Sequence, residues 1–303
     1  MLKIVFCASL YTKTEDFNLL AELIARHKRD YADRYQIDLA ACATAEDTEP
    51  VLARMSHYDA LVPYIQPPSY EGEILDYVIT RKVFQCLRLM LDWAQKAGYD
   101  YAIFLHSDLY PLDFGKIAAI LETMRAKNYL VAARGRSIVF YEMWMDDNIM
   151  FFDLRLRDHY PDMFDIEKDK YLSKPMFHYG IHYILPFWMM RYLAPEEFYF
   201  FSDCAENVGY DGKCIGYVPT PLNYDADLKI LHANHFGYWG GTGEAPQISA
   251  VKQRIFRENG NLGEPGSETE KFLAMKYKFE NPALRRLKNK IRPLIGRGAA
   301  KTA

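Results

Sequence analysis

Long apolar runs are missing from this 303-residue chain. No stretch approaches the roughly 20 residues that a spanning helix needs, so no segment reads as one. Cysteine is scarce: Cys7, Cys42, Cys86, Cys204 and Cys214 are odd in number, scattered, and form no CxxC pair. That pattern predicts reduced thiols in a cytosolic protein and no zinc site. The N-terminus "MLKIVFCASLYTKTEDF" lacks a basic region beyond Lys3, and its apolar run is short, so export is not expected. A strong excess of one charge is missing as well: the net charge of −3 gives no global signature of nucleic-acid binding. No internal repeat or low-complexity tract is present. The glycine-rich "FGYWGGTG" lacks the Gly-Lys-Ser/Thr ending of a phosphate-binding P-loop.

Aromatic rings, in contrast, are plentiful, with 23 Tyr and 18 Phe. Core packing accounts for most of them, and the rest are candidate platforms for sugars or bases. The length allows one large domain or two small ones around a sizeable core. "KIVFCAS" (3–9) ends an apolar run on small and polar residues and predicts a buried strand. Phe17, Leu20, Leu23, Ile24 and His27 then share one helical face. "IDLAACAT" (37–44) predicts a second strand, and "ALVPYI" (60–65) a third, weakened by its proline. In "RKVFQCLRLMLDWAQKAG", residues Val83, Phe84, Leu87, Met90, Leu91 and Ala94 trace a helical stripe that Gly98 stops. "YAIFLHSD" is a strand, "LDFGKIAAILETMRAKN" a helix and "YLVAARG" a strand. This alternation predicts an α/β, mostly parallel sheet with helices on both faces. Such sheets bind ligands outside the carboxyl ends of their strands, where both His106-Ser107-Asp108 and "CASLYT" fall.

The second half is less regular. "NIMFFDLRL" (148–156) predicts a strand, and "FHYGIHYILPFWMMRYL" (177–193) a loop entering a short apolar helix. Residues 216–241 hold strand-like pieces and a glycine-rich end. Ser267 and Glu270 have capping-box spacing, so a helix follows them. From Arg285 to Lys301 the chain carries seven basic residues and no acid, with Leu284, Leu287, Ile291, Leu294 and Ile295 at helical spacing, interrupted by Pro293. That tail suits an anionic membrane surface, and equally a plain basic tail.

Asp108 ends a buried strand in a loop. Such a carboxylate suits Mg²⁺ or Mn²⁺, which take hard oxygen ligands and share them with phosphates. It suits equally the capping of the helix that starts near Asp113. The stretch "AGYDYAIFLHSDLYP" resembles the strand of GT-A-fold, nucleotide-sugar-dependent glycosyltransferases that ends in Asp-x-Asp, with a family-2-like organisation. There the two acids hold the metal and the donor's ribose and diphosphate. Here His106 stands at the first acid position, and Asp108 keeps the second, the usual metal ligand. "NIMFFDLRL", "FHYGIHYILPFW" and "PEEFYFFSDCAENVGYDGKCIGYVPTPL" follow in the family's order as the strand after the nucleotide part, the acceptor loop and the segment carrying the catalytic base. Ser202-Asp203 falls on that segment's Glu-Asp pair, and "LHANHF" falls where a late histidine completes the metal site.

The resemblance implies a glycosyltransferase using a nucleoside-diphosphate sugar and Mn²⁺ or Mg²⁺. Its residues would be Asp108 with His235 or His232 for the metal, and Ser9, Tyr11, His106, Ser107, Asp108 and Arg134 for the donor. Gly180, His182 and Trp239 would meet the acceptor. Asp203 would be the base, with Glu206 and Asp211 as rivals in the same loop and an N-cap as its structural alternative. His232 and His235 share a face on a helix and oppose each other on a strand, and His235 is preferred. Arg134 and Arg136, read as following a strand, could pair with a diphosphate. Trp188 and Tyr238 complete the candidate sugar platforms, with core packing the better reading of Trp188. A GT-A domain is expected over 1–245, its nucleotide half near 1–136 and its acceptor half near 137–245, followed by a helical extension over 246–303. A bacterial surface polysaccharide or glycolipid acceptor is expected, in the cytoplasm at the inner membrane face. Sugar transfer to a modified nucleobase or protein, and a non-catalytic relative, are the alternatives. A nucleotidyltransferase would show a glycine-rich basic loop after the first strand, and "CASLYTKTEDF" has no glycine.

Overall fold

The structure, a computed structural model, describes residues 1–11, 14–45, 48–65, 75–138, 142–165, 181–203, 223–225 and 230–232. The chain divides into two units, Met1–Glu244 and Ala245–Ala303, and every described residue belongs to the first. The helix expected after Ser267 and the basic tail lie outside the described residues.

β1 (Leu2–Leu10) is covered on both sides, with Ile4, Phe6 and Ala8 buried on one face and Val5 and Cys7 on the other. Two-sided burial is why it reads as a continuous apolar run rather than an alternating one. β2 (Tyr35–Ala43) and β4 (Tyr101–His106) flank it in parallel register. The two-residue β3 (Ala60–Leu61) pairs with β2 at the sheet edge, and Pro63 follows it closely. Beyond β4 lie β7 (Glu142–Asp153), β6 (Val131–Ile138) and β8 (Phe198–Asp203), giving the order β3-β2-β1-β4-β7-β6-β8. β7 runs antiparallel to both of its neighbours, and the other six strands point one way. The sheet is therefore α/β and mostly parallel, as the alternation of elements predicts, with one reversed strand inside it.

α1 (Thr14–Asp30) and α4 (Phe114–Lys127) cover one face. The expected α1 stripe of Phe17, Leu20, Leu23, Ile24 and His27 is buried throughout. Phe114 joins the two helices to the sheet: its ring centre lies 6.4 Å from Phe6, 5.7 Å from His27, 4.8 Å from Tyr31 and 5.3 Å from Tyr35. Each such aromatic pair adds about 0.5–1.5 kcal/mol beyond its buried area. Asp113 caps α4, its carboxylate accepting from the Gly115 N–H at 2.8 Å. α3 (Leu75–Lys96) and α6 (Ile181–Met190) cover the other face. There Phe84 and Trp188 pack edge to face, 5.1 Å apart, over Val5, Phe104, Met150 and Phe152. α3 starts six residues before the expected Arg81 and ends ahead of Gly98, whose φ of +78° is left-handed. A β-carbon at Gly98 would meet nothing within 4 Å. Gly98→Ala is thus expected to lose about 1–2 kcal/mol from backbone strain alone, read by urea denaturation.

The short helices α2 (Glu49–Leu52) and α5 (Leu156–His159) are connections. Among the described residues no helix is long and apolar enough to cross a membrane. Cys7, Cys42 and Cys86 are buried free thiols, burial pushing Cys7 well above its ordinary range, and Cys204 and Cys214 lie outside the described residues.

His27 is the titrating group of this face. Its Nε2–H donates to the Pro111 carbonyl at 2.8 Å. Burial lowers its pKa from 6.5 to about 4, the Pro111 carbonyl, Asp30 and Asp113 opposing and Arg26 assisting. The unfolded chain thus takes up the proton first. Stability from a neutral His27 is complete above pH 6.5 and is lost as pH falls toward 4, by on the order of 3 kcal/mol. Urea denaturation at pH 7.5, 5.5 and 4.5 should show a steeper loss for wild type than for His27→Gln, and parallel curves would refute the assignment.

Candidate active site

Because six strands run the same way, their carboxyl ends form one edge, and Leu10, Ala43, His106, Ile138 and Asp203 all lie there. Ser9 is paired directly with His106, and the Ser107 N–H donates to the Ser9 carbonyl at 3.0 Å. Ser9 follows Val5 and Cys7 on the α3 side of β1, and His106 follows Phe104 on the same side of β4. The His106 ring lies edge-on to Phe104, centres 6.1 Å apart. Both residues are half-buried, while Ser107 and Asp108 are only 4% exposed. A carboxylate this buried needs positive or hydrogen-bonding company, and Asp108 is not without a partner.

The strand "YAIFLHSD" stops at His106, and a second one, β5 (Leu109–Pro111), starts one residue past Asp108. β5 joins a small antiparallel sheet with β10 (Ile230–His232) and β9 (Asn223–Asp225). His232 stands directly opposite Leu109. The late histidine segment is thereby brought to within one register position of Asp108. His232 lies on a strand, and His235 lies outside the described residues.

Two buried contacts fasten β5 to α1. The Tyr110 hydroxyl donates to the Asp16 carboxylate at 2.5 Å, and His27 donates to the Pro111 carbonyl. Sequence reasoning missed Asp16 and Tyr110. They are 94 residues apart, and neither carries a motif. Tyr110→Phe is expected to cost about 1.5–3 kcal/mol, since it leaves a buried carboxylate short of one donor, a loss that thermal denaturation would show.

Tyr11 follows β1 and is 54% exposed, with the Lys82 ammonium 5.8 Å above its ring. Arg134 and Arg136 do not follow a strand as expected: β6 continues to Ile138, and both lie inside it. Arg134 is buried, with Ser202 beside it in register, and a bulge separates it from Ala133. Asp203 ends β8 opposite Gly135, so it occupies a strand end. The segment that follows it, with Glu206 and Asp211, lies outside the described residues, as do Gly180, Tyr238 and Trp239. His182 is the second residue of α6. Trp188 is fully buried between Phe84 and Tyr192 and belongs to the core, which removes it from the candidate sugar platforms.

The site therefore gathers a buried carboxylate, a half-buried imidazole and two strand ends at one edge of the sheet. Among the described residues no three His, Cys, Asp or Glu side chains cluster as a metal cage. Asp108 does fit a Mg²⁺ or Mn²⁺ ion of the kind that takes one or two carboxylates and completes its shell with phosphate oxygens and water.

No family model and no curated protein matches the chain. Solved structures do overlap it. A glycosyltransferase involved in glycosylation of the major capsid of PBCV-1 is 11% identical, covering 67% of this chain and 82% of its own, at a TM-score of 0.38. Core-mannan synthase A from Aspergillus fumigatus, in its Mn/GDP form, is 10% identical, covering 65% and 72%, at 0.40. A CMP:2-keto-3-deoxy-manno-octonic acid synthetase complexed with CTP is 11% identical, covering 62% and 86%, at 0.37. All three TM-scores lie below 0.5, so the functional reading rests on the chain's own sheet and site.

Proposed function

We propose that the chain is a glycosyltransferase that moves a sugar from a nucleoside-diphosphate sugar to an acceptor hydroxyl. The observation that supports this best is that Ser9, the buried Ser107-Asp108 turn and the His232 strand adjoin at the carboxyl edge, along which Asp203 ends a strand three positions from β4. Sugar transfer needs this combination, because a diphosphate leaves as an anion while an acceptor hydroxyl loses a proton.

In this reading Ser9 and Tyr11 meet the nucleoside, and His106 takes the place of the acid that would hold the ribose. Asp108 holds Mg²⁺ or Mn²⁺, with His232 or His235 as a further ligand. When bound, that ion supplies Lewis-acid stabilisation of the leaving diphosphate. Arg134 is assigned to the same diphosphate as a charged donor. Asp203, with Glu206 as the alternative, takes the acceptor's proton. Gly180, His182 and Trp239 are assigned to the acceptor, a glycan or lipid-linked saccharide of a bacterial surface polymer. The basic tail would hold the enzyme at the inner face of the cytoplasmic membrane.

The test is calorimetric titration of UDP, GDP, CDP, ADP and dTDP, each with Mn²⁺ and with EDTA, followed by turnover of the matching sugar nucleotides. One nucleotide should bind tightly with Mn²⁺ and weakly without it, and its sugar donor should be consumed. Binding of none of them removes the proposal. Binding with no donor consumption makes the chain a nucleotide-sugar-binding module.

A further inference from the structure

A cleft of about 640 Å³ opens at the edge of the sheet opposite Asp108. Its wall includes Leu2 at the start of β1, Tyr101 at the start of β4 and Asp153 at the end of the reversed β7. β4 alone separates it from His106 by about 17 Å. It is therefore no part of the donor site, and it is an open cleft rather than an enclosed cavity.

The floor is rigid. The buried Asp153 carboxylate accepts from the Arg155 backbone N–H at 3.0 Å, from Arg155 Nε at 2.9 Å and from Arg155 Nη2 at 2.7 Å. Tyr101 is hydrogen-bonded to the same carboxylate, and burial followed by that neighbour pushes its phenol up to about 12, so it stays a neutral donor. Asn128, left-handed at φ +59°, accepts from Arg155 Nη1 at 2.7 Å. Charged groups locked together this way hold their geometry before any ligand arrives.

The rim is less committed. Arg125, in the last turn of α4, is exposed and makes no hydrogen bond or ion pair among the described residues. Asp158 accepts from the Gln95 amide at 2.6 Å through Oδ1 alone, and Asp100 accepts from the Lys3 N–H through Oδ2 alone. Tyr99 directs its hydroxyl away, to Asp38 at 3.0 Å, so what it brings to the cleft is ring carbon. Leu2 and Leu154 extend that apolar patch.

The ligand class comes from the chemistry of this wall. Three carboxylates face two guanidiniums, so charge of the two signs nearly balances. Such a wall has no positive excess to draw a phosphate or a second nucleotide, and a single negative charge is too little to hold a polycation. Planar groups with spare donors and acceptors beside an aromatic patch suit a ligand that alternates hydroxyls with C–H faces. We propose that the cleft binds a neutral oligosaccharide, at a site separate from the donor site and independent of its chemistry.

Isothermal titration of the full chain in EDTA with neutral hexasaccharides of glucose, mannose and galactose tests this, with a sulfated hexasaccharide as comparison. At least one neutral chain should bind, and the sulfated one should bind more weakly. Arg125→Ala and Asp158→Asn, both at exposed positions, should each weaken it about tenfold, the loss of one charged hydrogen bond. Saturating nucleoside diphosphate should leave it unchanged. Failure of every neutral hexasaccharide to bind, tighter binding of the sulfated one, insensitivity to both substitutions, or displacement by the nucleotide overturns the proposal. Nucleotide titration of the same variants reports the donor site separately, so either reading can fail without the other.

Discussion

On the proposed reading, Asp108→Asn is expected to lower donor turnover by two orders of magnitude or more while leaving the fold intact. The amide keeps the shape of the carboxylate and removes its charge, so it can no longer hold a hard cation against the diphosphate. A metal ion supplies several kcal/mol of transition-state stabilisation, and about 3 kcal/mol corresponds to roughly a hundredfold in rate. The Mn²⁺ dependence of nucleotide binding should vanish in the same variant. A turn-capping carboxylate predicts the reverse pattern: a loss of about 1 kcal/mol in stability with turnover unchanged. Rate, metal dependence and melting temperature measured together decide between the two roles.

Trp188→Ala is expected to destabilise the protein by roughly 3–5 kcal/mol, the cost of emptying a large buried aromatic site. Trp188 has no exposed surface and packs against Phe84, Tyr192 and the sheet. Its indole N–H has no hydrogen-bond partner among the described residues. Trp188→Phe should therefore cost much less, because it keeps an aromatic ring and removes a buried unpaired donor. Denaturant unfolding of the two variants gives both numbers. Equal and small losses would mean that the side chain is not a core element.

The nucleotide-side half was legible because buried parallel strands are unbroken apolar runs and their helices carry one apolar stripe. β1, β2, α1 and β4 appear close to where "KIVFCAS", "IDLAACAT", the Phe17–His27 stripe and "YAIFLHSD" put them. The carboxyl-edge position of His106-Ser107-Asp108 followed from that pattern alone. What the pattern could not carry was pairing. Nothing in "NIMFFDLRL" says that its strand runs backwards between β4 and β6, since an antiparallel strand buried on both sides looks the same in sequence as a parallel one. In "FYFFSD" the terminal carboxylate stands out more than the aromatic strand propensity that makes it β8. β5 was hidden by its length of three residues, and the Tyr110–Asp16 contact by the 94 residues between its partners. The site was legible as a place, and its fastening was not.

The reversed strand has a consequence for how the protein comes off the ribosome. β4 has β1 on one side and only β7 on the other, and β6 reaches the sheet only through β7. A nascent chain that has completed α4 therefore presents the bare edge of an apolar strand while waiting for residues 142–153. β6 has nothing to dock on during that interval. A fragment ending near residue 138 would keep that edge for good, so it should aggregate rather than stand as an isolated nucleotide-binding piece. The interval before β7 emerges is therefore the period in which this chain would most need a chaperone.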